Sequence, residues 1–369
     1  MPKVSVIMPC YNVEKYVARC LNSLTAQTLC DIEIICIDDK STDATPSIIQ
    51  EFAHHDPRIT LYTNKENLGV SSARNTGISM ATGNYISFVD PDDYLDIDFY
   101  QKLYDAATKH DADIAKGELK TVNTTGNIEH YPTNHKIAEN KFHFNSCFTT
   151  GIYRTSMLKE NNISFPLGIS MAEDRYMLIS AVYHANKIQT VDNTFYNYIR
   201  HEGSLDSTDF PTPKLDSALK GACELLNLIN AMTNINDQDY GILLKCVAEN
   251  IKYIHSKQIC HADHKKVAEC FIWIYNHAQQ KHILRKVWGN DIYKYASKRK
   301  TTALSKFCAT VTTWTWLFGF IPLAKTTKYL NNEFTFYLFG LLPFFKKTKT
   351  HKTQFSLFGI TILKIKTFK

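Results

Sequence analysis

Asp90-Pro91-Asp92-Asp93 follows directly on the apolar run 85–89. Three carboxylates within four positions at the end of a buried-type strand repel one another, so they require a cation or hydrogen-bond donors close by. Hard oxygen ligands of this kind suit Mg2+ or Mn2+, and such ions commonly arrive with a phosphate-bearing ligand. Pro and Asp also build solvated acidic turns, so these four residues alone leave both readings open.

The elements around the motif narrow the choice. Residues 4–8 are a first apolar run, and 14–27 carry Val17, Cys20, Leu21 and Leu24 at helical spacing. Residues 32–37 read as a buried strand, and Thr42 or Asp43 caps a helix over 45–54. A third strand over 58–62, a helix over 70–80 closed by Gly83, a strand over 85–89 and a helix over 97–109 follow. This alternation predicts a doubly wound, mostly parallel sheet, in which ligands bind outside the carboxyl ends of the strands. Pro9-Cys10-Tyr11-Asn12, residues 38–43 and Asp90–Asp93 all fall at such ends. The sequence has no GxGxxG after the first strand and no GxxxxGK[ST], which argues against dinucleotide and P-loop binding.

The chain of 369 residues is long enough for roughly two domains, and 44% hydrophobic with 21% charged residues marks it as globular. No charged segment followed by an apolar core opens it, so no secretory signal is expected. The ten cysteines are scattered without a CxxC and several, such as Cys36, Cys223 and Cys246, lie in apolar runs. They read as reduced core residues of a cytosolic protein. The net charge of +6 conceals a division: residues 298–369 hold 13 Lys+Arg and one acidic residue, Glu333, whereas the remainder holds 29 against 35. An acidic body with a basic tail suggests an anionic surface as partner.

Residues 4–12 (VSVIMPCYN), 37–43 (IDDKSTD), Asn67-Leu68-Gly69 with Ala73-Arg74-Asn75-Thr76-Gly77, and Asp90-Pro91-Asp92-Asp93 occur in this order. Together they closely resemble the family 2 glycosyltransferases, densely over about residues 3–115 and more thinly to about 205. The resemblance implies an α/β GT-A fold that binds a nucleotide-sugar. It places Pro9, Tyr11, Asn12, Glu14, Asp39, Asn67, Arg74, Asp90, Pro91, Glu173 and Arg200 around the donor. By it, Asp39 meets the nucleoside; a carboxylate there accepts the imide N–H of uracil, which makes UDP the expected nucleotide. Arg74 points at the diphosphate or sugar, where its guanidinium fork fits phosphate oxygens. Asp90 and Asp92 form the metal-binding DxD element for Mn2+ or Mg2+, and Asp93 orients its neighbours. A divalent ion there neutralises the charge that builds on the leaving diphosphate.

The same resemblance reads the pair Glu173-Asp174, ahead of an apolar helical run, as the acceptor side, with Asp174 the base that deprotonates the acceptor hydroxyl for a single inverting displacement. Read without it, the pair is a helix-start carboxylate pair matched to the macrodipole. Residues 196–205 resemble the segment closing the domain, from which Arg200 or His201 reaches the diphosphate or metal, and residues 145–154 are expected as a strand near the acceptor. Cys260, His261, Asp263 and His264, with Cys270 nearby, fit no zinc spacing and read as a solvated helix or loop.

The expected organisation is therefore a GT-A domain over 1–205, an α-helical accessory region over 206–300 and a basic, aromatic-rich tail over 301–369. The tail repeats Leu317-Phe318-Gly319 as Leu338-Phe339-Gly340 and Leu357-Phe358-Gly359, each followed by apolar residues and lysine. Phe307, Val311, Trp314, Phe318 and Ile321 would line one stripe of a helix. The longest uncharged stretch, 307–324, is a poor transmembrane span; aromatic residues with lysines suit an interfacial anchor on an anionic membrane surface. The expected enzyme is a UDP-sugar-dependent inverting glycosyltransferase, cytoplasmic and peripheral on the inner face of the membrane. It acts on a glycan or glycolipid acceptor of lipopolysaccharide, lipooligosaccharide or capsule type, with no nucleic acid as partner. Two rivals are a sugar-nucleotide-forming nucleotidyltransferase, which the absence of a Gly-rich first loop disfavours, and a non-catalytic membrane adaptor, which the intact Asp39, Asp90, Asp92 and Asp174 disfavour.

Overall fold

The computed structural model describes residues 1–123, 127–132, 140–143, 147–169, 171–201, 212–256 and 264–308, and beyond them the backbone of six strands between 310 and 365. Residues 145–146, Ser170, 202–205, 260–263 and the Phe-Gly pairs of the tail repeat lie outside the described residues. Two compact units are formed, Met1–Thr208 with Ala231–Ile235, and Asp209–Asn230 with Asn236–Lys369.

The first unit opens with β1 (Val4–Cys10), α1 (Val17–Thr25), β2 (Ile32–Asp38), α2 (Thr45–His55), β3 (Ile59–Thr63), α3 (Val70–Met80) and β4 (Tyr85–Phe88). It continues through β5 (Tyr94–Leu95), α4 (Phe99–Lys109), β6 (Ile114–Val122), β7 (Ile128–Tyr131), a 3-10 turn at Phe148–Thr150, β8 (Gly151–Arg154), α5 (Thr155–Glu160), α6 (Glu173–His184) and β9 (Ile188–Ile199). The strands form one sheet in the order β3-β2-β1-β4-β8-β6-β9-β5, with β7 paired to β6. The first four are parallel and β8 joins antiparallel to both β4 and β6, so the sheet is mixed beyond β4. Every residue of β1 is buried, as expected of a central parallel strand covered on both faces. The helices lie where the periodicity predicts, and Asp43 Oδ1 accepts the Thr45 N–H at 2.9 Å at the start of α2.

Two glycines fix how closely elements approach. At Gly77 on α3 a Cβ would stand 2.3 Å from Ile7 Cγ2, so only a bare backbone lets this helix lie on β1. Gly83 does not close α3, contrary to expectation. The helix ends at Ala81 in an extended conformation, and Gly83 instead packs beneath β1, where a Cβ would fall 2.8 Å from the Ser5 nitrogen.

In the second unit, α7 (Thr212–Ala231), α8 (Asp237–Ser256), α9 (His264–His277), α10 (Lys281–Trp288), α11 (Asn290–Ser297) and α12 (Thr301–Cys308) succeed one another. Leu226, Ile229, Leu243, Val247, Ile251, Phe271, Trp288 and Leu304 are buried in it. His264, expected in a solvated segment, is buried in α9, because the apolar face with Val267, Ala268 and Phe271 carries it inward. From Thr310 the backbone is strand, in β10 (Thr310–Leu317), β11 (Ile321–Tyr329), β12 (Glu333–Leu338), β13 (Leu342–Thr348), β14 (Thr353–Leu357) and β15 (Ile360–Ile365). The expected helical stripe through Val311, Trp314 and Ile321 is therefore absent; alternating threonine and tryptophan prefer the extended backbone. The sequence repeat is a structural one. Leu317, Leu338 and Leu357 each end the first strand of an antiparallel pair, and each pair slips register at Thr315/Trp316, Phe336/Tyr337 and Phe355/Ser356, two residues earlier in every copy.

Candidate active site

The carboxyl ends of β1 and β2 and the start of α3 enclose a cleft of about 150 Å³ lined by Pro9, Cys10, Tyr11, Asp39, Asn67, Gly69, Val70 and Ala73. Asp39 is its buried polar floor. Its Oδ1 accepts from Asn64 Nδ2 at 2.8 Å and from the Leu68 N–H at 3.0 Å, and its Oδ2 accepts the Gly69 N–H at 2.7 Å. These bonds fold the 64–69 segment over the cleft and leave Oδ2 a lone pair for a further donor. Tyr11 and Leu68 stand half-exposed at the rim.

Beyond β4 the chain turns sharply, the Asp93 N–H returning to the Asp90 carbonyl at 3.0 Å with Pro91 buried at the second position. Asp93 is fully buried and serves as the anchor of this loop. It accepts the Tyr196 hydroxyl at 2.6 Å and the Ile199 N–H at 2.8 Å, while the Asp90 N–H donates to the Tyr196 oxygen at 3.1 Å. The end of β9 is thereby tied to the acidic loop. Two residues later His201 Nε2 lies 3.0 Å from Asp92 Oδ2, and its ring stacks on Tyr16 with centroids 4.5 Å apart. From α1, Arg19 donates to the Asp92 carbonyl. Burial, and next the charge of Asp90, raise the Asp92 pKa; burial does the same more strongly to Asp93.

Arg74 joins the two acidic groups. Its side chain is 6% exposed; Nη2 donates to Asp90 Oδ1 at 2.9 Å and Nη1 to Glu173 Oε1 at 3.3 Å. The guanidinium carbon sits 4.7 Å from the ring centre of Phe148 and 5.1 Å from that of Phe165. Burial opposes its charge, and Asp90 and Glu173 outweigh that, raising its pKa. Glu173 and Asp174 begin α6 because Ala172 takes a left-handed backbone with φ of +69°, a costly conformation for a residue with a side chain. Burial and the Asp174 charge push Glu173 up to about 7, and burial raises Asp174, whose Oδ1 accepts the Arg175 N–H at 2.7 Å.

The fold thus gathers Asp90, Asp92, Arg74, Glu173 and Asp174 into one cluster and Pro9, Tyr11, Asp39 and Asn67 into the adjoining cleft. Asn12 and Glu14 are engaged elsewhere. Asn12 Oδ1 accepts the Thr42 N–H at 2.8 Å and Glu14 Oε2 the Ala44 N–H at 3.0 Å, bracing the β1 loop against the β2 loop. Arg200 is half-exposed, with Nη1 3.7 Å from Glu129 Oε2 beside β7, whereas the adjacent His201 reaches the acidic loop. Tyr16, Arg19 and Tyr196 carry no sequence signal of their own; only the tertiary meeting of α1, β9 and the acidic loop reveals them.

Among the described residues no three His, Cys, Asp or Glu side chains stand ready as a metal cage. The donors nevertheless fit a divalent ion. Asp90 and Asp92 offer hard oxygens and His201 an imidazole at the same loop, a set that suits Mn2+ or Mg2+; burial, and next the Asp90 charge, raise the Asp92 pKa, a cost to the carboxylate that a cation would offset.

Residues 5–170 match the family model described as "Glycosyl transferase family 2". The chain is 33% identical over 219 residues to Glycosyltransferase GlyA of Streptococcus pneumoniae, covering 55% of this chain and 31% of that one. It is also 33% identical over 234 residues to the uncharacterized glycosyltransferase EpsJ of Bacillus subtilis, covering 60% of this chain and 67% of that one. It therefore spans about a third of the first relative and two thirds of the second. The crystal structure of S. aureus TarS 1-349 in complex with UDP-GlcNAc superposes with a TM-score of 0.67 at 23% identity, covering 82% of this chain and 89% of that one, which identifies the fold as GT-A. With a relative matched over two thirds of its length and the family's sequence pattern spread through the sheet just described, the chain belongs to glycosyl transferase family 2.

Proposed function

We propose that the protein is an inverting glycosyltransferase that moves a sugar from a UDP-sugar to a hydroxyl of a growing cell-surface glycan. The observation that carries the reading is Arg74, whose two nitrogens join Asp90 of the acidic loop to Glu173 at the head of α6. A donor-side carboxylate and one member of the acceptor-side pair are thereby held to one guanidinium, next to the cleft floored by Asp39. The UDP-GlcNAc bound by TarS, which shares the fold, supports UDP as the nucleotide.

In this reading Asp39 accepts the uracil imide, and Pro9, Tyr11 and Asn67 enclose the base. Asp90 and Asp92, with His201, hold Mn2+ or Mg2+, which supplies charge neutralisation for the departing diphosphate. Arg74 adds fixed positive charge beside the same oxygens. Asp174 takes the proton of the acceptor hydroxyl, whose oxygen attacks the anomeric carbon opposite the breaking bond, so one displacement inverts the configuration. Burial raises the pKa of both Glu173 and Asp174, Glu173 to about 7, which strengthens either carboxylate as a proton acceptor once it is ionised. The basic hairpin tail anchors the enzyme peripherally on the inner face of the cytoplasmic membrane, close to a glycan or glycolipid acceptor. Incubating the full chain with a panel of UDP-sugars, with and without Mn2+, tests the reading: metal-dependent UDP release supports it, and no release from any of them refutes it.

A further inference from the structure

Lys116 on β6 is a buried lysine that this chemistry does not use. It is 2% exposed, and its Nζ donates to the Cys147 carbonyl at 2.6 Å. Burial lowers its pKa to about 8. Taking an ammonium out of water is costly, and a carbonyl repays less of that cost than a carboxylate would. A methionine would fill similar space without it. The cost therefore points to what the carbonyl belongs to.

The Cys147 carbonyl opens the 3-10 turn Phe148–Thr150. It also accepts the Thr150 hydroxyl at 3.0 Å, and the Phe148 carbonyl accepts the Tyr153 hydroxyl at 2.7 Å. The turn carries one ring into the site: Phe148 packs with Phe88 and Phe165 in a three-ring cluster and faces the Arg74 guanidinium. A second feature is built around the lysine. Its register partner on β8 is Gly151, where a Cβ would stand 3.3 Å from Lys116 Cγ and 3.1 Å from the Ala115 carbonyl. The bare backbone at Gly151 gives the lysine stem its path to the turn.

We propose that Lys116 is a positioning residue for sugar transfer, pinning the Phe148 turn so that Arg74 is held at the geometry that joins Asp90 to Glu173. This rests on the transfer reading above. The nucleoside cleft is walled by β1, β2 and α3, and Lys116 is not among its lining residues, so its effect reaches the donor through Arg74 at the diphosphate and leaves the nucleoside end untouched.

The full chain with Mn2+ and a UDP-sugar that it turns over provides the test. In Lys116→Met, kcat for UDP release falls about 10- to 100-fold, while the inhibition constant for uridine, which lacks the diphosphate, stays within about twofold. Phe148→Leu lowers kcat as well, and the double variant loses no more than the worse single, because both act through one path. If Lys116→Met does not fold, Gly151→Ala, which keeps the ammonium but crowds its stem, shows the same split. An unchanged kcat, a uridine inhibition constant that worsens in step with kcat, or losses that multiply in the double variant overturns the proposal. A wild-type chain without turnover on any UDP-sugar sinks the transfer reading, and this inference with it.

Discussion

His201 Nε2 lies 3.0 Å from Asp92 Oδ2, although 109 positions separate the two residues in the chain. The contact exists because Asp93 ties the end of β9 to the acidic loop through Tyr196 and the Ile199 amide. In the proposed reading, an imidazole stacked on Tyr16 and aimed at the Asp92 carboxylate would ligate the metal or orient the carboxylate that does. His201→Ala is therefore expected to weaken Mn2+ binding in the presence of UDP by about 10- to 100-fold, read by calorimetric titration. Equal metal affinity in the variant removes His201 from the site.

Glu173 gives a stability prediction whose sign follows from its environment. Its folded pKa is about 7 against an ordinary 4.5, so folding favours the neutral form. Below the ordinary value both states are protonated and the folded protein loses nothing. Between 4.5 and about 7 the unfolded carboxyl ionises while the folded one holds its proton, so stability declines as pH rises across that window and levels off above it. Glu173→Gln, permanently neutral, should therefore gain in Tm relative to wild type between pH 5 and pH 8, measured without metal or nucleotide. A difference that is flat across that range contradicts the assignment.

Asp174 is separable from the donor side. Asp174→Asn keeps the shape of the α6 start and removes the proton acceptor, so kcat falls by about 100-fold or more while UDP affinity holds. If instead UDP affinity falls with kcat, Asp174 supports the donor and Glu173 becomes the better base.

The nucleotide half of the fold is legible because each strand end carries its own polar cluster. The apolar run of β1 leads into Pro9–Asn12, that of β2 into residues 38–43, and that of β4 into Asp90–Asp93, and parallel packing brings the three ends together. Arg74 stands three residues before Gly77, about one helical turn, on the buried face of α3; its second partner, Glu173, lies 99 residues away and leaves no local trace. Arg200 and His201 are neighbours in sequence that part in space just past the end of β9, where Asp93 holds the Ile199 N–H. The tail misled in its local geometry, because an apolar spacing of three and four over residues 307–321 coexists with threonines that favour a strand.

That tail carries the last prediction. Residues 298–369 hold 13 basic residues and one acidic, and the repeat recurs as three hairpins with the same register slip, so each copy presents the same backbone unit. Several weak, identical attachments to one surface multiply, which makes binding depend steeply on copy number. Truncation belongs after Cys308 and not at 301, because α12 buries Leu304 in the helical unit. A chain lacking residues 310–369 should stay folded and stop co-sedimenting with vesicles rich in anionic lipid. Removing only residues 353–369 should weaken binding partially, by about 1 kcal/mol for each basic residue lost near the surface, and raised salt should mimic the loss. Unchanged pelleting of the shorter chain would mean that these hairpins serve the protein and not the membrane.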